Sequence, residues 1–108
     1  MQDKKKIGLV LTGGGARAAY QVGVLEAVST ILCEAGWAPE KNPYDIICGT
    51  SAGAINATAL ACHADDFCPG LKRVVHVWEN FTAEQVYRAD SLGVLRSGAK
   101  WLLSLIHI

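Results

Sequence analysis

The amino-acid sequence predicts an α/β domain with a mainly parallel sheet, and three observations support this prediction. Two short apolar segments, residues 6–11 and 44–48, have the composition of buried strands. Each is followed by a glycine-rich turn and a segment of helical periodicity, which is the order of a βαβ unit. The chain is also 51% hydrophobic, which suits strands covered by helices on both faces.

The first strand, residues 6–11 (KIGLVL), ends where a run of three glycines begins. The next segment, residues 16–35, carries apolar side chains at the i, i+3, i+4 and i+7 positions of one helix face. We expect this helix to end near Gly36, because glycine readily adopts the left-handed conformation found at helix C-termini. Residues 37–43 contain two prolines and an asparagine and therefore predict a loop.

The second strand, residues 44–48 (YDIIC), runs into a sharp turn at 49–53 and a helix at 52–63 that is rich in small residues. Small residues allow a helix to lie close to a strand. The connection between the two parallel strands should be right-handed. Residues 65–70, which include a Pro-Gly pair, predict a further loop.

The remainder of the chain is predicted to be helical. The apolar residues that follow position 70 share one helix face: Leu71, Val74, Val75 and Trp78. Thr82 and Gln85 have the spacing of a capping box that opens a short helix. Residues 91–106 form the last predicted helix.

Charge and hydropathy exclude several classes of function. Ten basic and ten acidic residues balance, so no overall field favours nucleic acid, and we expect no nucleic-acid partner. The apolar run behind the N-terminal lysines is five residues long, too short for a signal peptide. No window has the roughly eighteen apolar residues that cross a bilayer. We therefore expect a cytoplasmic protein without a transmembrane segment, whose membrane contacts, if any, are peripheral.

The four cysteines, Cys33, Cys48, Cys62 and Cys68, form no C-x-x-C pair and stand in apolar or helical segments. We interpret them as buried free thiols rather than disulfides. Cys62, His63 and Cys68 do not have the spacing of a zinc site, so no metal is predicted.

The turn at 49–53 has the pattern G-x-S-x-G between a strand and a helix, the context of a nucleophile elbow. Gly49 and Gly53 allow the strand and the helix to approach closely, while Thr50 and Ala52 flank the serine. Ser51 Oγ would project at the N-terminal end of the helix, where the helix dipole favours developing negative charge. The alternative is an ordinary helix N-cap serine.

The glycine-rich turn after the first strand gives the serine a chemical context. Backbone N–H groups of Gly13, Gly14 and Gly15 can point at an anion with no side chain in the way. Both turns follow parallel strands and so lie at the same sheet edge, where they could combine a nucleophile with an oxyanion hole. One good oxyanion donor is worth about 3 kcal/mol. Arg17 could hold this turn or add positive potential, although a solvated or carboxylate-paired arginine is the alternative.

A dinucleotide-binding interpretation competes for the same turn, because Gly13, Gly15 and Ala18 also fit G-x-G-x-x-G/A. That fingerprint requires an acidic residue at the end of the second strand, where this chain has Cys-Gly-Thr. Asp45 lies near the start of that strand instead. A P-loop is excluded because no Gly-Lys-Ser/Thr follows the glycines.

No convincing base for Ser51 is present in the sequence. His63 falls at the far end of the second helix, about 18 Å from Ser51 at 1.5 Å per residue. The other candidates have simpler explanations as packed, half-exposed or helix-capping side chains: His76, His107, Asp65, Asp66 and Asp90.

Over about residues 6–63, the segments LVLTGGGARAAYQVGVLEAV and YDIICGTSAGAINA resemble the opening of a bacterial patatin-like phospholipase. The resemblance implies a three-layer α/β/α fold and a lipid acyl hydrolase that cleaves acyl esters through an acyl-enzyme on a Ser-Asp dyad. It implies no histidine, metal or cofactor. Ser51 would be the nucleophile, and Gly13, Gly14, Gly15 and Arg17 would form the oxyanion element. Ala18 departs from the family, which usually has a glycine there.

The dyad aspartate of this family belongs to an Asp-Gly-Gly or Asp-Gly-Ala motif, and the 108 residues contain no Asp-Gly pair. Two strands alone would also leave both sheet edges unpaired. We therefore expect residues 1–108 to be the N-terminal part of a single domain and to be inactive alone. The last residues, LSLIHI, resemble translated adapter DNA, and we hypothesise that residues 104–108 are not native. The alternative function is a non-catalytic module that binds an acyl lipid or a dinucleotide.

Overall fold

A computed structural model of the protein describes residues 4–86 and 90–107. The predicted order of strands and helices is confirmed. The elements are β1 (Gly8–Leu11), α1 (Ala18–Glu34), β2 (Ile46–Gly49), α2 (Ala52–Cys62), α3 (Phe67–Glu79), α4 (Ala83–Val86) and α5 (Ser91–Ile106). A single 3-10 turn, Gly15–Arg17, precedes α1.

The two strands pair in parallel, with Gly8 opposite Ile46 and Leu11 opposite Gly49. Helices α1, α2 and α3 pack together, and α2 lies against both strands. The expectation that the strands are covered on both faces is wrong for the described residues. Leu11 is buried, but Val10, which points to the other face, is 72% exposed. The reason is that strand side chains alternate between faces and the helices here cover only one.

Helix α1 ends near Gly36, as the sequence predicted. Gly36 has φ +92°, the left-handed conformation that glycine adopts without strain. Its N–H donates to the Cys33 carbonyl at 3.0 Å, and the Trp37 N–H donates to the Leu32 carbonyl at 2.9 Å. These two bonds form a Schellman motif, which satisfies carbonyls that the helix end leaves free.

The loop predicted at 65–70 is wrong from Phe67 onward, because α3 already begins there. Pro69 stands in the first turn of α3, where a missing N–H breaks no intrahelical hydrogen bond. The Phe67 N–H donates to the Glu40 carbonyl at 3.1 Å, so the 37–43 loop satisfies a free donor at the start of the helix. Tertiary contact therefore extends the helix into a segment that the local signal assigned to a turn.

The remaining helices follow their sequence signals. On α3, Leu71 and Val74 are buried and Val75 and Trp78 are half-buried, so the predicted apolar face is confirmed. At the start of α4, the Thr82 N–H donates to Gln85 Oε1 at 3.1 Å, which is the glutamine half of the predicted capping box.

Helix α5 spans the predicted residues and is capped by Asp90, whose carboxylate accepts from the Gly93 N–H at 2.8 Å. None of its residues is buried, and Leu92 is 82% exposed. Within residues 4–86 and 90–107, no helix combines the length and the apolar character needed to span a membrane.

A continuous core joins the sheet to three helices. Its buried members are Leu11, Leu25, Ala57, Leu60, Phe67 and Leu71. Tyr44 packs edge-on against Phe67, with ring centroids 5.9 Å apart. Burial raises the pKa of the Tyr44 phenol, because the phenolate would be poorly solvated there.

The cysteines are free thiols, as predicted, but not all of them are buried. Cys48 and Cys62 are exposed, which corrects that part of the expectation, because Cys48 lies on the uncovered face of the sheet and Cys62 at the end of α2. Cys33 and Cys68 are half-buried, with sulfurs 3.8 Å apart. Desolvation and the contact with Cys68 raise the pKa of the Cys33 thiol.

We expect Leu60→Ala to lower the free energy of unfolding by about 2–5 kcal/mol, because it leaves a cavity in the core. Leu60 is 1% exposed. Urea unfolding followed by circular dichroism measures the change. Ile55→Ala, on the same helix but 68% exposed, is the control and should cost much less. Equal losses from both substitutions would contradict this description of the core.

Candidate active site

The two glycine-rich turns meet at one edge of the sheet. Because Leu11 pairs with Gly49 in a parallel ladder, both turns begin at the carboxyl ends of their strands, on the same side of the sheet. The Thr50 N–H donates to the Leu11 carbonyl at 3.0 Å, and the Gly13 N–H donates to Thr50 Oγ1 at 3.1 Å. A backbone bond and a side-chain bond therefore hold the elbow against the first turn.

Ser51 has φ +52° and ψ −127°, and it is the only residue other than glycine with positive φ among the described residues. A non-glycine residue in such a conformation costs on the order of 1–3 kcal/mol and persists where its surroundings impose it. The side chain is exposed at the N-terminus of α2. The predicted nucleophile elbow requires a strained turn of this kind with an exposed hydroxyl.

The hydroxyl of Ser51 makes no capping hydrogen bond to its helix. The N–H groups of Gly53 and Ala54 donate to backbone carbonyls instead, those of Thr50 and Ser51 respectively, both at 2.9 Å. The geometry therefore does not support the N-cap interpretation of this serine.

Gly49 and Gly53 stand where no side chain fits. A β-carbon on Gly49 would overlap the backbone of Gly53, and one on Gly53 would overlap the carbonyl of Leu11. The absence of side chains lets α2 begin directly against the end of β1. Ala52, the first residue of α2, is half-buried.

The triple-glycine turn lies beside the serine. A β-carbon built on Gly13 would be 3.0 Å from Ser51 Cβ and 3.8 Å from Ser51 Oγ. The Gly13 N–H is occupied by Thr50, whereas the N–H groups of Gly14 and Gly15 donate to no protein acceptor within the described part of the chain. Gly15 has φ +58°, which only glycine adopts readily.

Arg17 lies over the same turn. Its N–H donates to the Gly14 carbonyl at 3.2 Å, and its Cβ and Nε both lie 3.5 Å from the position that a β-carbon on Gly14 would take. The side chain is exposed. Of the roles considered for Arg17, this geometry fits best with holding the turn.

No base contacts Ser51 among residues 4–86 and 90–107. His63 follows the last turn of α2 and packs against Gly70. His76 Nδ1 lies 3.1 Å from Asn80 Nδ2, and Asp90 caps α5. These side chains already have structural partners away from the elbow.

The position of Asp45 bears on the dinucleotide interpretation. Its carboxylate accepts a hydrogen bond from the Ile7 N–H at 2.8 Å, just ahead of both strands. It therefore lies at the N-terminal end of the two strands, whereas the glycine turn lies at their C-terminal end. A ribose-binding carboxylate would have to lie at the other end of β2, which in this chain is Gly49.

The sequence-based prediction missed one buried polar side chain near the site, that of Asn56. Asn56, five residues after Ser51, is 1% exposed, and its Nδ2 donates to the Ala18 carbonyl at 3.1 Å. The signal in the sequence was an amide among the small apolar residues of α2. Gln21, on α1, donates from Nε2 to the Thr12 carbonyl at 2.6 Å.

Comparison with known proteins identifies relatives for most of the chain. The family model described as patatin-like phospholipase matches residues 9–106. The chain is 49% identical over 61 residues to lysophospholipase nte1 of Aspergillus terreus, covering 56% of this chain and 3% of that protein. It is 43% identical over 53 residues to the cGAMP-activated phospholipase of Pseudomonas aeruginosa, covering 49% of this chain and 15% of that protein.

A longer alignment is found with the Escherichia coli protein YjjU, which is 37% identical over 93 residues, covering 86% of this chain and 22% of YjjU. The chain thus spans from 3% to 22% of the length of these three relatives. No solved structure gives a significant match. Because the family model covers nearly all of its residues, the chain belongs to the patatin-like phospholipase family.

Proposed function

We propose that these residues carry the nucleophile and the oxyanion element of a serine lipid acyl hydrolase. The observation that carries the proposal is the exposed Ser51 on a strained turn, next to a glycine turn whose Gly14 and Gly15 N–H groups donate to no acceptor among the described residues. Ser51 Oγ attacks the carbonyl carbon of an acyl ester, and its proton passes to a base. The tetrahedral intermediate collapses to an acyl-enzyme and releases the alcohol. Water then attacks the acyl-enzyme, which frees the fatty acid and Ser51.

The oxyanion of that intermediate would be stabilised by the N–H groups of Gly14 and Gly15. Gly13 has its N–H bonded to Thr50, so it contributes closeness to Ser51 rather than a free donor. Arg17 would hold the turn, because its N–H donates to the Gly14 carbonyl and its side chain lies close to Gly14. The N-terminus of α2, from which Ser51 projects, adds a favourable dipole. Donors that are fixed before reaction contribute most, because they need no reorganisation as charge develops.

The base is proposed to be an aspartate of a Ser-Asp dyad, supplied by residues other than those described. No side chain of the described residues is hydrogen-bonded to Ser51 Oγ, and the resemblance to the family assigns the role of base to an aspartate. A free carboxylate, with a pKa near 4, is a weak base for a hydroxyl. It must therefore be desolvated and held within hydrogen-bond reach of Ser51 Oγ. The proposed chemistry uses no metal or cofactor.

The proposed substrates are acyl esters of lipids. Relatives named lysophospholipase and phospholipase support this class. We further propose a cytoplasmic protein that reaches lipid through peripheral contact. The exposed position of the elbow supports access by a substrate held in an aggregate or bilayer.

A fluorophosphonate probe should label the full-length protein at Ser51, because the probe reacts with activated serine hydroxyls and its product mimics the tetrahedral intermediate. Peptide mass spectrometry identifies the labelled residue. Ser51→Ala should abolish labelling, whereas Ser97→Ala, which removes an exposed hydroxyl on α5, should not. A folded full-length protein that takes up no label at Ser51 would remove the proposal.

Gly13→Ala should slow fluorophosphonate labelling by about tenfold or more, because its methyl group would lie 3.0 Å from Ser51 Cβ and displace the turn from the nucleophile. Labelling rates from in-gel fluorescence measure the change. Gly23→Ala is the matched control, since its methyl group would meet nothing within 4 Å. It should keep the wild-type rate. Equal rates for all three proteins would show that the turn does not act with Ser51.

A further inference from the structure

A chain of hydrogen bonds runs from α3 to the glycine turn. Trp78 Nε1 donates to Asn56 Oδ1 at 2.9 Å, and Asn56 Nδ2 donates to Gln21 Oε1 at 3.3 Å. Gln21 Nε2 then donates to the Thr12 carbonyl at 2.6 Å. Side chains from three helices are thus linked to the peptide that opens the proposed oxyanion element.

The direction of this chain is fixed by groups that can only donate or only accept. An indole N–H can only donate, so Asn56 must turn its oxygen toward Trp78. Its Nδ2 then donates both to the Ala18 carbonyl at 3.1 Å and to Gln21 Oε1, and Gln21 turns its Nε2 toward the Thr12 carbonyl, which can only accept. A flip of either amide would place two acceptors or two donors together, which is costly for a side chain buried as deeply as Asn56.

The peptide between Thr12 and Gly13 is held on both sides. Its carbonyl accepts from Gln21 Nε2, and its N–H donates to Thr50 Oγ1. The three glycines that follow have the greatest backbone freedom of any residue type. Fixing the peptide plane that precedes them therefore restricts the directions in which the N–H groups of Gly14 and Gly15 can point.

We propose that Gln21 is a positioning residue for the oxyanion element, and that Trp78, acting through Asn56, supports its orientation. This inference rests on the proposed function. None of the three side chains needs to touch the substrate, so their effect should fall on kcat and leave KM nearly unchanged. Methionine at position 21 would remove the donor to the Thr12 carbonyl, and phenylalanine at position 78 would remove the donor to Asn56 Oδ1.

The test compares Gln21→Met and Trp78→Phe in the full-length protein with wild type and with Trp37→Phe. Trp37 is the matched control, because its Nε1 makes a similar bond of 2.8 Å, to the Lys41 carbonyl, outside the network. Readouts are the rate of fluorophosphonate labelling at Ser51, kcat and KM for para-nitrophenyl butyrate, and the thermal unfolding midpoint. We expect Gln21→Met to lower the labelling rate and kcat by about tenfold or more. Trp78→Phe should lower them by at least about threefold, and Trp37→Phe should change neither.

The double variant separates positioning from general loss of stability. If both residues act through one chain, Gln21→Met with Trp78→Phe should label within about twofold of Gln21→Met alone. Three results would each overturn the inference. They are a double variant in which the two losses of labelling rate multiply, a raised KM with unchanged kcat, and a loss of rate no larger than the loss of folded protein. If Gln21→Met does not fold, the comparison of Trp78→Phe with Trp37→Phe decides whether the inference holds. A wild-type protein without label at Ser51 removes the proposed function and this inference together, whereas a labelled wild type with unchanged variants removes the inference alone.

Discussion

The close approach of the elbow to the end of β1 is the constraint on which the site depends. Gly53 lies so near the Leu11 carbonyl that no β-carbon fits between them. This contact lets α2 start at the sheet edge, and it brings Thr50 within reach of both Leu11 and Gly13. Any side chain at position 53 would separate helix from strand. The glycine turn and the serine would then lose their common position, although each could keep its local conformation.

Two opposite backbone properties are combined at this edge. Ser51 is held in a conformation that its own side chain disfavours, which requires rigid surroundings. The neighbouring glycines are free to adopt many conformations and must be restrained from outside. The core beneath α2, with Leu60 fully buried, provides the rigidity for the first. The Gly13 N–H donates to Thr50 Oγ1 and Gln21 Nε2 donates to the Thr12 carbonyl, and these two bonds provide the restraint for the second.

Helix α2 contributes side chains both to the core and to the hydrogen-bond network near the candidate site. Helix α2 presents Ala57 and Leu60 to the core, while Asn56, also buried, bonds to Ala18 and Gln21 of α1. One helix therefore both covers the sheet and connects the core to the turn that the proposed function uses. The other face of the sheet is uncovered in the described residues, and Val10 and Ile46 are exposed there. On the proposed function, these residues supply the nucleophile and the oxyanion donors, and the base comes from elsewhere.

The sequence by itself determined the order of the elements, the end of α1 at Gly36 and the strand-turn-helix setting of Ser51. These features depend on periodicity and on glycine, whose effects are local and can be read from neighbouring residues. Only the tertiary structure decided that α3 begins before Pro69, that Thr50 occupies the Gly13 N–H, and that Trp78 is connected to Thr12. These contacts join residues far apart in the chain, such as Trp78 and Asn56, at positions where no local pattern distinguishes a buried hydrogen-bond partner from an ordinary helix residue. Packing of the helices selects the partners, so the network became visible only once the elements were assembled.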